Sequence, residues 1–236
     1  MERMNHRASR RKLVTALSAF AAALGTSGPV RARPELAQPE AAGGVRAALE
    51  AGANAAVEAL GRTDGFLGNP RVRIALPRGL EQVSTAFALM GRKRDLDELV
   101  TAMNRAAEAA VPQARTLLVQ AVRSMSVEDA VGLVRGADTA VTEFFAAKTR
   151  APLAERFLPV VAATTGRMGL ARQYNALASQ AAAVGLLGQD DASVERYVTA
   201  RALDGMYLMI GEEERRIRRD PVGTGSAILR RVFGGG

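Results

Sequence analysis

This sequence predicts an all-α fold, on three observations. Apolar residues recur at three- and four-residue intervals along nearly the whole chain after residue 43. Glycines, prolines and capping residues punctuate those runs at spacings that suit helices. Only residues 61–77 lack a helical period; there Val72, Ile74 and Leu76 alternate with Arg71, Arg73 and Ala75, which predicts one short extended segment. The organisation read from this is an export signal over 1–32, a linker over 33–43, and a single domain of about nine helices over 44–236. A chain of 236 residues is long enough to bury a substantial core.

The elements follow in order. Residues 1–12 are basic, Leu13 to Leu24 is a short apolar run, and Val30-Arg31-Ala32 offers small residues where a signal peptidase needs them. Cleavage near Ala32 is therefore expected, with a periplasmic or secreted mature protein. Ser9-Arg10-Arg11-Lys12-Leu13 resembles a twin-arginine motif, and the general export route stays open beside it. The first helix is expected from Gly44 to Leu60, stopped by Gly61. Asp64-Gly65 and Asn69-Pro70 mark turns in the stretch that follows. Gly79 to Met90 reads as a second helix, closed by Gly91.

Asp95 to Met125 is the centre of the sequence. Leu96, Leu99, Met103, Ala107 and Ala110 share one helical face, and Leu117, Leu118, Ala121, Val122 and Met125 make a second stripe. Pro112 lacks a backbone N–H, so two helices meeting at Val111-Pro112 are expected, as a hairpin or a kink. Ser126 with Asp129 suggests a capping box for a short helix to Val134, ended by Gly136. Thr139 to Lys148 is expected next, then a helix with Pro152 at its first position and Pro159 inside. A helix carrying Tyr174 and Leu177 leads to a loop from Gly185 to Asp191. Ser193 should cap the longest helix, Val194 to Arg219, in which Glu212 and Glu214 stand four residues before Arg216 and Arg218. Asp220-Pro221 stops it, and a last helix spans Ala227 to Phe233.

Charge and composition exclude several chemistries. The formal charge is +8, but residues 1–32 hold six of the 32 Lys/Arg and one of the 24 Asp/Glu. The basic excess is thus mostly in the signal, and the remainder is no nucleic-acid-binding surface by composition. His6, the only histidine, lies there too, and the chain has no Cys and no Trp. With the segment removed, His/Cys zinc sites, haem and iron–sulfur ligation, and Ser-His-Asp or Cys-His catalysis have no residues to use. No cofactor and no tightly bound transition metal are expected; calcium or magnesium on carboxylates stays open. Gly223-Thr224-Gly225-Ser226 before a helix is a weak phosphate-cradle pattern.

The chain resembles a bacterial family known as domain of unknown function 4197. The resemblance rests on Asp64-Gly65-Phe66 with Asn69-Pro70, Met103-Asn104-Arg105-Ala106-Ala107-Glu108, and Met125 with Asp129-Ala130. It continues through Phe157, Pro159-Val160-Val161, Tyr197-Val198-Thr199, Ala202-Leu203-Asp204-Gly205, and Glu213-Glu214 to Asp220-Pro221. It covers about residues 44 to 234. Where the family usually reads Ile-Pro-Leu-Pro, this chain has Ile74-Ala75-Leu76-Pro77. The resemblance implies an all-α fold and an envelope location; it supplies no activity.

Arg105, Glu108, Asp204, Glu214 and Arg218 are the candidate site residues. As a pocket they would combine a carboxylate acid/base pair, Glu108 with Asp204, and arginines that clamp an anionic ligand. As structure they would be interhelix ion pairs at partly buried positions. Arg105 and Glu108 sit among small residues on the central helix, which lets another helix approach; Arg105 is expected to reach a carboxylate of the long helix, and Glu108 an arginine or a backbone donor. The leading functional expectation is an exported envelope domain that binds a protein or small ligand without catalysis. The alternative is a carboxylate-dependent periplasmic hydrolase with Glu108 as acid/base.

Overall fold

The computed structural model describes residues 36–234, save 90, 92, 129, 168, 170–171, 173, 176–177, 180, 182–184, 186–190 and 192, and the side chains at 82, 83, 86 and 87. The export segment 1–32, Asp129, Leu177 and most of the loop expected over Gly185 to Asp191 lie outside the described residues. Among the described residues seven helices have defined bounds: α1 (Gln38–Leu60), α2 (Arg78–Leu89), α3 (Lys93–Ser124), α4 (Ala130–Arg135), α5 (Ala140–Arg167), α6 (Val194–Arg219) and α7 (Ala227–Phe233). No strand occurs among the described residues. The all-α expectation holds, and the count of about nine is corrected to seven among the described residues.

Two proline junctions account for much of that correction. The helices expected on either side of Val111-Pro112 are one helix, α3, and the helices expected over 139–148 and from Pro152 are one helix, α5. Each internal proline removes one backbone hydrogen bond. The buried stripes nevertheless run straight through both sites: Ala107, Val111, Ala114 and Leu118 in α3, and Phe145, Thr149, Leu153, Phe157 and Val161 in α5. All three prolines lie on exposed positions, so the lost bonds face water while the apolar face stays continuous. Packing of that face outweighs the local break.

The four long helices form a closed ring of neighbours. α1 packs on α3 and α6, and α5 packs on the same two from the other side. α2 lies on α3, α4 on α1 and α5, and α7 on α1 and α6. The core between them is built from Val45, Leu49, Leu60, Leu99, Met103, Phe145, Phe157, Met206 and Ile210, all essentially inaccessible.

α1 begins at Gln38 rather than Gly44, with Pro39 in its first turn, so part of the expected linker is helical. The glycine pair lies inside the helix because α7 passes over it. A Cβ on Gly44 would stand 2.6 Å from the methyls of Val232, and one on Gly43 2.9 Å from Ile228. Close approach of two helices offsets the roughly 1 kcal/mol per residue that glycine costs in a helix.

At the other end Ser193 caps α6 by accepting from the N–H of Arg196, as its position predicts. α4 opens at Ala130, four residues past Ser126, so Ser126 does not cap it.

Candidate functional site

Residues 61–77 make no strand because a side chain takes the place of a neighbouring strand. Asn104 on α3 accepts the N–H of Ile74 at 2.8 Å and donates back to the Ile74 carbonyl at 2.8 Å. One turn along, Glu108 Oε1 accepts the backbone N–H of Phe66 and of Leu67, both at 3.0 Å. Its Oε2 accepts Arg105 Nη1 at 2.7 Å, and Arg105 Nη2 reaches Asp64 Oδ1 at 2.8 Å. The Glu108 side chain is 5% exposed and that of Arg105 31%. The hydrogen bond to Glu108, and then that to Asp64, raises the Arg105 guanidinium above its ordinary pKa. Arg105 therefore finds its second carboxylate in the loop and not on the long helix. Asp64 is placed for this by a left-handed turn (φ 63°), followed by Gly65, where a Cβ would stand 2.6 Å from the carbonyls of Ala59 and Leu60. Glu108 does receive both an arginine and backbone donors.

The long helix α6 holds the same loop from its other side. Tyr197 donates its hydroxyl to the Ala75 carbonyl at 2.8 Å, and burial pushes that phenol above its usual pKa. Arg71 meets both oxygens of Glu212 at 2.5 and 2.7 Å, and this hydrogen bonding holds the Glu212 carboxyl below the usual range. The buried Phe66 ring lies against Gly205, where a Cβ would be 2.8 Å from Phe66 Cε1 and 3.4 Å from Val72 Cβ. Phe66 is fully buried, so its ring is confined where that Cβ would fall. Gly205→Ala is expected to destabilise the domain by about 1–3 kcal/mol through overpacking, read as a fall in melting temperature; an unchanged melting curve would refute the close fit.

Glu214 forms a second, separate cluster. Its Oε1 accepts the N–H of Val141 at 3.1 Å, and its Oε2 accepts the N–H and hydroxyl of Thr142 at 2.8 and 2.7 Å. Val141 and Thr142 are in the first turn of α5, whose unpaired N–H groups favour a carboxylate. Arg218, one turn along α6, donates to Glu214 Oε1 and to the Val134 and Leu133 carbonyls at 2.6 and 2.9 Å. Those carbonyls belong to the last turn of α4. One ion pair thus closes the end of α4 and the start of α5, a cation on one helix end and an anion on the other.

Asp204 belongs to neither cluster. It accepts from Arg150 of α5 at 2.6 Å and from Arg201 at 3.0 Å, on the surface of α6. Ten residues of helix separate Asp204 from Glu214, about 15 Å. The five candidate residues are therefore divided among three places rather than gathered in one pocket.

Of the expected four-residue pairs in α6, Glu214 with Arg218 is present. Glu212 turns instead to Arg71 and Arg215, and Arg216 to Glu213. The tetrapeptide 223–226 uses its polar groups internally: Gly223 N–H donates to Asp220, and Ser226 Oγ accepts from Leu229 N–H to cap α7.

Described residues line open clefts at two places of interest. One, of about 400 Å³, lies on α3 over Arg94, Asp97, Glu98 and Arg105. The other, of about 310 Å³, lies between the C-terminal end of α3 and the middle of α5. Glu108 lines neither. Among the described residues no group of three or more His, Cys, Asp or Glu is arranged to hold a metal ion, and no helix is long and apolar enough to cross a membrane.

The sequence analysis named Asn104 and Gly205 only within motifs of the resemblance, without a structural role, and it missed Arg150. The available signal for Asn104 was a polar side chain on an otherwise alanine-rich buried face.

Fold and clusters together define an all-α domain in which buried charges and amides hold irregular backbone. The chain belongs to the family described as "Protein of unknown function (DUF4197)", which matches residues 35–234. No curated protein and no solved structure matches it.

Proposed function

We propose that this protein is exported to the bacterial envelope, loses about its first 32 residues, and acts there as a non-enzymatic binding domain for a protein or small ligand. The observation that carries the non-enzymatic reading is the state of Glu108. An acid/base must reach the proton it transfers. Glu108 is buried, its Oε1 holds two backbone amides and its Oε2 holds Arg105. Glu214 is engaged in the same way by amides of α5 and by Arg218. The hydrolase alternative lacks a free carboxylate at these positions, and Asp204, half-exposed, is paired with two arginines.

A hydrolase screen with ester, amide and phosphoester substrates tests this reading. The expected result is no turnover that depends on Glu108. Turnover abolished by Glu108→Gln in a folded variant would overturn it.

Export rests on the basic start, the short apolar run and Val30-Arg31-Ala32. N-terminal sequencing of protein from fractionated cells is expected to begin near Arg33, in the envelope fraction. Cytosolic protein that retains Met1 would refute export. Arg10→Lys with Arg11→Lys separates the two routes: precursor accumulation assigns the twin-arginine route, and normal maturation the general one.

A further inference from the structure

The cleft between α3 and α5 has a composition that none of the structural clusters accounts for. Its floor is apolar, with Met125 and Leu153 both buried. Its α5 side carries Lys148, Pro152 and Arg156, four residues apart and so on one stripe of the helix. Lys148 and Arg156 are exposed, and neither makes an ion pair among the described residues. Lys148 Nζ stands 5.7 Å from the centroid of the Phe144 ring, and the cleft wall so carries two cations that have no carboxylate partner among the described residues. Eight residues of helix set them about 12 Å apart. Pro152 has no N–H, so the Lys148 carbonyl lacks its i+4 donor on this same side. The walls are held in place: Arg46 donates to the Met125 carbonyl at 3.1 Å, and the Thr149 hydroxyl is bonded to Phe145 O and to Tyr207.

We propose that this cleft is a docking site for an extended acidic peptide segment. Such a segment lays an aliphatic side chain over Met125 and Leu153 and carries carboxylates to Lys148 and Arg156. Two features select a peptide over a simple anion. The apolar floor of Met125 and Leu153 receives an aliphatic side chain, which a peptide has and an inorganic anion lacks. The separation of the cations matches acidic residues four apart in an extended chain, which rises about 3.3 Å per residue. The proposal rests on the binding-domain reading and names the chemistry of its partner.

The test uses the full chain and fluorescence anisotropy of a labelled peptide, Gly-Glu-Ala-Leu-Ala-Glu-Gly. Saturable binding is expected, weakened about tenfold by Lys148→Glu or by Arg156→Glu and more by both together. Arg115→Glu, an exposed cation on α3 that lines neither cleft, should change it by less than about twofold. The same measurements with Lys148→Gln and Arg156→Gln, expected to weaken binding in the same order, keep the test decisive if a charge reversal disturbs folding. No saturable binding overturns the proposal. So does equal binding of a peptide with lysines for glutamates, equal weakening by Arg115→Glu, or displacement by glutarate as effective as that by unlabelled peptide. Loss of the cleft in this assay leaves the binding-domain reading standing, whereas Glu108-dependent turnover would remove that reading whatever the peptide does.

Discussion

Glu214→Gln is expected to lower the melting temperature by roughly 10 °C, which corresponds to a loss of about 3–5 kcal/mol in a domain of this size. The substitution is nearly isosteric, so the effect is one of hydrogen-bond polarity. Every group facing the Glu214 carboxylate is a donor or can be one: three amide and guanidinium N–H donors at Oε1 and the Thr142 N–H and hydroxyl at Oε2. A carboxylate has acceptors on both oxygens; an amide must turn its NH2 toward one of these sets. Whichever way it turns, a buried donor loses its partner, and Arg218, only 13% exposed, keeps a charge with less to balance it. Glu98→Gln, at an exposed pair on α3, supplies the comparison and should cost under about 1 kcal/mol. If the two variants melted alike, the idea that Glu214 joins α4 to α5 would be wrong.

Glu108→Gln is the second large effect, expected at about 2–4 kcal/mol from the unpaired amides of the loop and the loss of a buried charge partner. Arg105→Met should cost less, because that side chain is partly exposed and its other partner, Asp64, faces water. Combined, the two should cost less than their sum, since removing Arg105 takes away the cation that an amide at 108 would confront. Thermal unfolding of the three variants measures the coupling. Amide hydrogen exchange at Phe66 and Leu67 localises it: both should speed up in Glu108→Gln, and the amides of α1 should keep their order. Wild-type stability in Glu108→Gln, joined to loss of ligand binding, would make this pair the functional site instead.

Legibility differed by the range of the interaction. Helix α6 was readable to the residue because its signals are local: Ser193 in front, Asp220-Pro221 behind, and a consistent apolar face between. The same holds for α7 and for the glycine stop after α2. The proline junctions misled because a proline's cost is local and its compensation is not; the face that carries α3 past Pro112 is buried by α1 and α5, which no window of the sequence contains.

The candidate residues divide in the same way. The Glu214–Arg218 pair was visible as a four-residue spacing, but its targets on α4 and α5 lie more than 70 residues away. Arg105 was recognised as a charge in need of a partner on an alanine-rich face. Its partner was sought on a helix because helices carry most of the chain, whereas the turn at Asp64, already marked by Asp-Gly, supplied it.

The ring of long helices has a consequence for synthesis. α1 is the first to leave the ribosome and α6 the last long one, and each is a principal neighbour of the other. Gly52 of α1 fits against Ile210, 158 positions later. Until residues near 210 have emerged, one flank of α1 has no partner, and the loop at 61–77 lacks Tyr197 and Gly205. Closure of the core therefore waits for α6: long-range pairing of this kind is paid for in loop entropy before any contact rewards it. Chains arrested before Val194 should accordingly be cut by trace protease at sites that the finished domain protects.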